Sequence, residues 1–130
     1  MKILIFGTFD HLHPGHAFVI SEAMKRGAAT IVVARDRNVE RIKGLRSHQS
    51  ESERKSAIEE KFPAVTVMLG DREDFLAPVR TVRPDLILLG YDQRLPPGVT
   101  EADFPCVVER LPAHHPDQYK SSLLKKNVRK

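Results

Sequence analysis

Lys2-Ile3-Leu4-Ile5-Phe6-Gly7-Thr8-Phe9-Asp10-His11-Leu12-His13-Pro14-Gly15-His16 decides the fold. Ile3 to Phe6 is an unbroken apolar run without alternation, the pattern of a strand buried on both faces. From Gly15 to Arg26 the spacing turns helical. Phe18, Val19, Ala23 and Met24 share one side, and Glu22, Lys25 and Arg26 are left to water. Gly27 stands where a helix stop is expected. A buried strand, a turn and an amphipathic helix make the first unit of a parallel α/β sheet.

The remainder of the chain repeats that alternation. Thr30 to Ala34, Val65 to Leu69 and Leu86 to Leu89 are further apolar runs, and Cys106-Val107-Val108 after Pro105 predicts a fifth strand. Helical spacing is expected over 51–61, with Ala57 and Ile58 inward, and over 72–82, where Pro78 is a blemish. A last helix is expected from about Ser121. Residues 94–105, rich in Pro, Gly and acid, read as an excursion between strands. The expectation is one domain over 1–130: a doubly wound parallel sheet of about five strands with helices on both faces. Ligands of such sheets bind beyond the carboxyl ends of the strands, here after Phe6, Ala34, Leu89 and Val108.

Composition narrows the class. A hydrophobic share of 41% and a charged share of 29% suit a soluble globular chain. The single cysteine, Cys106, permits no disulfide framework and no cysteine-rich zinc site, and reads as a small buried hydrophobe. No stretch has the roughly 20 apolar residues of a membrane span, and the first residues lack a signal-peptide pattern, so a cytoplasmic location is expected. The net charge of +4 fits phosphorylated metabolites. The low aromatic share of 6% argues against single-strand nucleic-acid binding.

The turn after the first strand carries the chemistry. Gly7 lets backbone approach a phosphate closely. Gly15 opens a helix whose first amides favour anions. His13 and His16 flank that start, and imidazole N–H groups suit a place where negative charge grows during phosphoryl transfer. One histidine there is most simply a cap; two around a glycine are a site.

Gly7-Thr8-Phe9-Asp10, His13, Gly15 and His16 resemble the G-T-F-D-x-x-H-x-G-H signature of the cytidylyltransferase-like superfamily, whose members move a nucleoside monophosphate from ATP or CTP to a phosphorylated acceptor, usually with Mg²⁺. The resemblance implies that His13 and His16 hold the triphosphate and stabilise the transition state. By the same resemblance Gly7, Thr8, Phe9, Asp10 and Gly15 form the nucleotide-binding turn. Ala34 to Gly44 and Gly90-Tyr91-Asp92-Gln93 resemble the corresponding segments of archaeal-type FAD synthases, which transfer AMP from ATP onto FMN. Lys43 is then a catalytic cation on a mobile loop, with a solvated basic loop over Arg41 to Arg46 as the alternative. Asp36 either bonds a ribose hydroxyl of the acceptor or caps its loop. Arg54 either binds the acceptor or forms a surface ion pair with Glu51 or Glu59.

Asp92 either contacts the nucleotide, helps orient Mg²⁺ or makes an Asx-turn. Tyr91 either packs on the acceptor or closes the core. Ser121 and Ser122 align with the hydroxyls of an Ile-Ser-Thr-Thr type phosphate motif, though helix caps look the same. The family's Arg-Thr pair is missing ahead of it, leaving Arg110 or His115 as substitutes. The preferred reaction is FMN plus ATP giving FAD and pyrophosphate. The alternatives are a cytidylyltransferase acting on glycerol 3-phosphate or a similar alcohol phosphate with CTP, and a nucleotide-binding module without chemistry. Small-molecule substrates are the expected partners, with neither nucleic acid nor membrane, and the resemblance allows a homodimer.

Overall fold

A computed structural model describes residues 1–91 and 93–112, apart from the side chains of Ile42 and Lys43. In chain order these are β1 (Lys2–Gly7), α1 (Pro14–Arg26), β2 (Ala28–Val33), α2 (Asp36–Lys43), α3 (Glu51–Lys61), β3 (Thr66–Leu69), α4 (Ala77–Val82), β4 (Leu86–Leu89), a single 3-10 turn (Glu101–Asp103) and β5 (Val107–Arg110). The five strands form one sheet in the order β3-β2-β1-β4-β5, and every pairing is parallel. The chain lays down β2 and β3 on one side of β1, then crosses to add β4 and β5 on the other. The doubly wound expectation therefore holds, and the switch in strand order falls between β1 and β4.

Period-two alternation divides the apolar runs between two cores. Ile3, Ile5, Ile31, Val33 and Leu88 face α1 and α3, where they meet Ile20, Ala23 and Ile58. Leu4, Phe6, Val32, Ile87 and Leu89 face the other way, toward Val79 of α4 and Phe104. A strand covered on both faces needs apolar residues at every position, which is why these runs do not alternate in polarity.

Several boundaries differ from the sequence reading. The fourth helix begins at Ala77, with Pro78 in its first turn, where the missing N–H costs nothing. The preceding residues make a turn instead, because Asp71 Oδ1 accepts from the amides of Glu73 and Asp74, both at 2.8 Å. Met24 is 40% exposed and Ile20 takes its place in the core. The fifth strand starts one residue later, at Val107, with Cys106 half-buried and burial pushing its thiol pKa up. The basic stretch after β2 is not a loop but helix α2, closed by Gly44 at a φ of 75°. The helix expected from about Ser121 lies outside the described residues.

Candidate functional site

Because all strands run the same way, their carboxyl ends share one edge of the sheet. There the structure opens a cleft of about 1160 Å³. Gly7, Thr8, His13, Gly15 and His16 occupy its middle. Val32, Asn38, Arg41, Gly70 and Phe75 line the β2–β3 side, and Gly90, Tyr91, Gln93, Arg94 and Leu111 the β4–β5 side. No helix among the described residues is long and apolar enough to cross a membrane.

The two histidines build the start of α1 themselves. His13 is the N-cap, and its Nδ1 accepts from the Gly15 amide at 3.1 Å. His16, three residues on, accepts the His13 amide on its own Nδ1 at 3.3 Å. This is a reciprocal capping box in which imidazoles replace the usual hydroxyl and carboxylate. The rings stack with centroids 3.7 Å apart and planes 23° apart. An Nδ1 that accepts a backbone N–H carries no proton, so these contacts assign each neutral imidazole the Nε2–H tautomer. The first turn of α1 contains no acidic residue to oppose an anion at the dipole's positive end.

Both glycines of the motif are set by ring contacts. A Cβ on Gly15 would lie 2.9 Å from His13 Cε1, and one on Gly7 would lie 2.6 Å from Phe9 Cε2. Phe9 adopts a left-handed φ of 56°, is only 4% exposed, and meets the His16 ring edge-on at 5.3 Å. Its side chain is thus a support under the motif, although its backbone lines the cleft.

Asp10, which lines the cleft, has a positioning role in the structure. Its carboxylate accepts the amides of His48 at 2.8 Å and Gln49 at 2.9 Å. Gln49 Oε1 in turn accepts the His11 amide at 2.9 Å. Desolvation raises the Asp10 pKa, but the two amides, with His11 and His48 nearby, lower it below the usual carboxylate value. The motif loop and the segment before α3 are clipped together by that exchange.

Arg54 also departs from the acceptor-binding role expected of it, and Asp36, whose side chain is about half-exposed, is its partner. Arg54 is completely buried, so it is neither a surface ion-pair partner nor an acceptor ligand. Its Nη1 donates to the Thr8 carbonyl at 2.8 Å, its Nε to the Gln49 carbonyl at 3.1 Å, and its Nη2 pairs with Asp36 Oδ1 at 2.6 Å. Asp36 Oδ2 accepts the Glu51 amide, and Glu51 Oε1 accepts the Asp36 amide at 2.9 Å. The Asp36 amide, ahead of the Arg35 guanidinium, holds the Glu51 carboxyl below its ordinary pKa. Arg35 closes the hub by donating to the Gly70 carbonyl at 2.6 Å and to Glu51 at 2.8 Å. Four segments, the motif loop and the starts of α2, α3 and the β3 loop, are thereby fixed to one another.

On the β4 side, Gln93 Nε2 donates to the Phe6 carbonyl at 2.9 Å and its Oε1 accepts the Gly90 amide at 3.0 Å. Arg110 donates to the carbonyls of Gly90 and Gln93 and pairs with Glu101. It is a clamp on this loop, which is a different task from the phosphate contact considered for it. Tyr91 is 55% exposed on the cleft rim and does not close the core. Lys43 is the last residue of α2, so its segment is helical where a mobile loop was expected. Asp92, His115, Ser121 and Ser122 lie outside the described residues.

The sequence reading missed Arg35, Asn38, Arg41, Phe75 and Arg94, all of which line the cleft. Asn38 Nδ2 donates to the Asp71 carbonyl at 3.0 Å, and its Oδ1 is buried without a hydrogen-bond partner. A helical wheel over 36–43 would have found Asn38, one turn from Arg35 at the strand's end. Phe75 reads only as an apolar position of the helix expected over 72–82, which in fact begins at Ala77.

Fold and site together define a doubly wound α/β domain with an anion-receptive first turn. A family model described as cytidylyltransferase-like matches residues 4–127. The FAD synthase of Aciduliprofundum boonei is 41% identical over 95 residues, covering 72% of this chain and 63% of that protein. The FAD synthase of Natronomonas pharaonis is 33% identical over 127 residues, 89% of this chain and 86% of that one. A crystal structure of a lipopolysaccharide core biosynthesis protein from Thermoplasma volcanium superposes with a TM-score of 0.77 at 29% identity, over 88% of this chain and 98% of that one. The chain belongs to the cytidylyltransferase-like family. It spans 63% of the length of the Aciduliprofundum relative and 60% of the Ferroglobus placidus FAD synthase.

Two outcomes follow from the polar hub. Arg54→Met removes the partner of the Asp36 carboxylate and of two part-buried carbonyls, and should cost about 1–3 kcal/mol in urea unfolding; a cost under about 0.5 kcal/mol, typical of neutral surface changes, would show the hub to be slack. Asp10 has a folded pKa below its unfolded value, near 3.9. Its contribution is therefore present above about pH 4 and is lost as the pH falls through the folded value. Asp10→Asn should consequently lose less stability than wild type on acidification in that window. Identical acid limbs in the two unfolding series would contradict the clip.

Proposed function

We propose that this protein is an FMN adenylyltransferase, moving AMP from ATP onto the phosphate of FMN to give FAD and pyrophosphate. One observation carries the reading: the histidine capping box engages both Nδ1 atoms at the helix start, which sets each neutral ring in the tautomer that donates from Nε2, and both residues line the cleft. The FAD synthase relatives support ATP and FMN as the substrate pair. The cleft volume of about 1160 Å³ exceeds the usual range for a single small ligand, about 300–1000 Å³, and suits two substrates meeting end to end.

The step is an in-line displacement. An oxygen of the FMN phosphate forms a bond to the α-phosphorus, the bond from that phosphorus to the bridging oxygen breaks, and its electron pair leaves on pyrophosphate. The acceptor is already anionic near neutral pH, so no strong base is required. His13 and His16 donate from Nε2 to phosphate oxygens on which charge grows, and the positive end of the α1 dipole favours the same anion. Gly7 and Thr8 present backbone beside them. Lys43, Ser121, Ser122 and Asp92 keep the phosphate and nucleotide roles the resemblance implies, and Tyr91 stands on the rim for either ring.

Among the described residues no cluster of three ligands fits a divalent ion, and the Asp10 carboxylate is engaged by amides. Mg²⁺ would enter bound to the triphosphate oxygens, its common mode with nucleotides, with Asp92 as the residue the resemblance offers to orient it. The reading carries with it a cytoplasmic location and a homodimer.

Offering FMN or glycerol 3-phosphate with ATP or CTP, and measuring pyrophosphate, tests the assignment. Release is expected with FMN and ATP. Consumption of CTP alone would replace it with the cytidylyltransferase reading, and binding without release under all four conditions would leave a nucleotide-binding module. His16→Ala should lower kcat by at least about 100-fold, the scale of losing one transition-state donor, with the far-UV spectrum unchanged. Wild-type turnover in that variant would remove the mechanism.

A further inference from the structure

The β2–β3 side of the cleft holds an apolar recess for which the phosphate chemistry has no use. Phe6, at the end of β1, stacks on Phe75 with centroids 4.6 Å apart and planes 26° apart. Phe104 backs the pair, 6.1 Å from Phe6 and 6.5 Å from Phe75. Phe6 and Phe104 are each only 6% exposed, whereas Phe75 is half-buried and lines the cleft beside Phe6, Val32 and Pro96. Its backbone is held by the turn that Asp71 and Asp74 cap, where Asp74 Oδ1 accepts the Leu76 amide at 3.0 Å. Phe75 is thus an aromatic ring with a stacked backing, a fixed backbone and an open edge to the ligand space.

We propose that Phe75 is the acceptor-specificity residue, the platform on which the planar heteroaromatic ring of the acceptor rests. The proposal rests on the adenylyltransferase reading and adds the ring site to it. A half-open aromatic ring gains most from a large flat partner with an apolar edge. The isoalloxazine ring system is such a partner, with three fused rings and a dimethylbenzene end. Adenine is smaller and carries polar atoms around its rim, and Phe6, Val32, Phe75 and Pro96 offer it no side-chain hydrogen bond. A three-carbon alcohol phosphate would leave these rings uncovered. The recess and the histidines belong to one cleft, so an acceptor ring at Phe75 would share its space with the phosphates held at the histidines.

Steady-state kinetics of Phe75→Leu and Phe75→Ala test the assignment. The KM for FMN is expected to rise about 10- to 100-fold, the range that base–aromatic stacking gives, with the KM for ATP unchanged. A folded variant with wild-type KM for FMN overturns the proposal. A rise confined to the KM for ATP overturns it too, by giving the recess to adenine. Should both variants fail to fold, wild-type protein decides with lumiflavin, the ring system without its phosphate. Inhibition competitive with FMN and not with ATP is expected; no inhibition, or competition with ATP alone, overturns the claim. Absence of pyrophosphate from FMN and ATP in wild type would defeat the preceding reading instead. The ring site is then read from lumiflavin fluorescence quenching, which needs no turnover: quenching by wild type supports it, and none overturns it.

Discussion

Every helix must do something with the first amides that have no partner in the turn before them. At α1 this chain satisfies them with imidazole Nδ1 atoms rather than with a hydroxyl or a carboxylate. That choice has two consequences at once. A carboxylate at the third helical position would set negative charge where a phosphate is to lie, whereas a neutral imidazole sets none. And because one ring nitrogen is engaged by the cap, the other is obliged to be the donor. The cap and the candidate site are therefore one set of bonds, and the geometry of α1 cannot be altered without altering the orientation of both rings.

The same economy governs the loops around it. The motif loop passes through a left-handed Phe9 and His11, conformations that non-glycine residues keep only when their surroundings fix them. Here the surroundings are explicit. Arg54 holds the Thr8 carbonyl from inside the protein, and Asp10 holds the segment that leads into α3. A fully buried guanidinium is costly unless its donors are met, and three of its contacts are made to backbone or side chain at once. Its partners are the ends of separate elements, so the cost of burying it is offset by fixing their relative position.

The sheet was legible in the sequence because strands covered on both faces must be apolar at every position, and few other structures impose that. Its ligand edge was legible too, since glycine and histidine cluster in the one turn where backbone and imidazole approach a strand end. Helix α2 was not legible. It offers Val39 as its one described buried residue amid charge, and its position comes from Arg35, Asp36 and Glu51 rather than from an apolar stripe. Arg54 misled for the same reason. Charge on a helix normally means solvent, and here the deciding partner, the Thr8 carbonyl, lies 46 residues away in sequence. Pro78 read as a break because its place in the helix depended on where the helix began, and that was set by the Asp71 turn ahead of it.

Phe75 belongs to this second kind of residue. It lies in a charged, irregular segment between β3 and α4, where helical spacing over 72–82 made it one more apolar position of a helix that begins only at Ala77. What gives it meaning is Phe6, reached across the sheet from another strand. Anion-receptive groups come from a local motif, because a helix start must be built by residues next to one another. Ring-receptive groups come from distant segments, because a platform needs a backing and a wall, and those are supplied by packing between elements. It follows that the shared chemistry of this family is written where a sequence can be read directly. A ring platform of the kind proposed at Phe75 is written in tertiary contacts, and there only the folded chain shows which side chains face the same space.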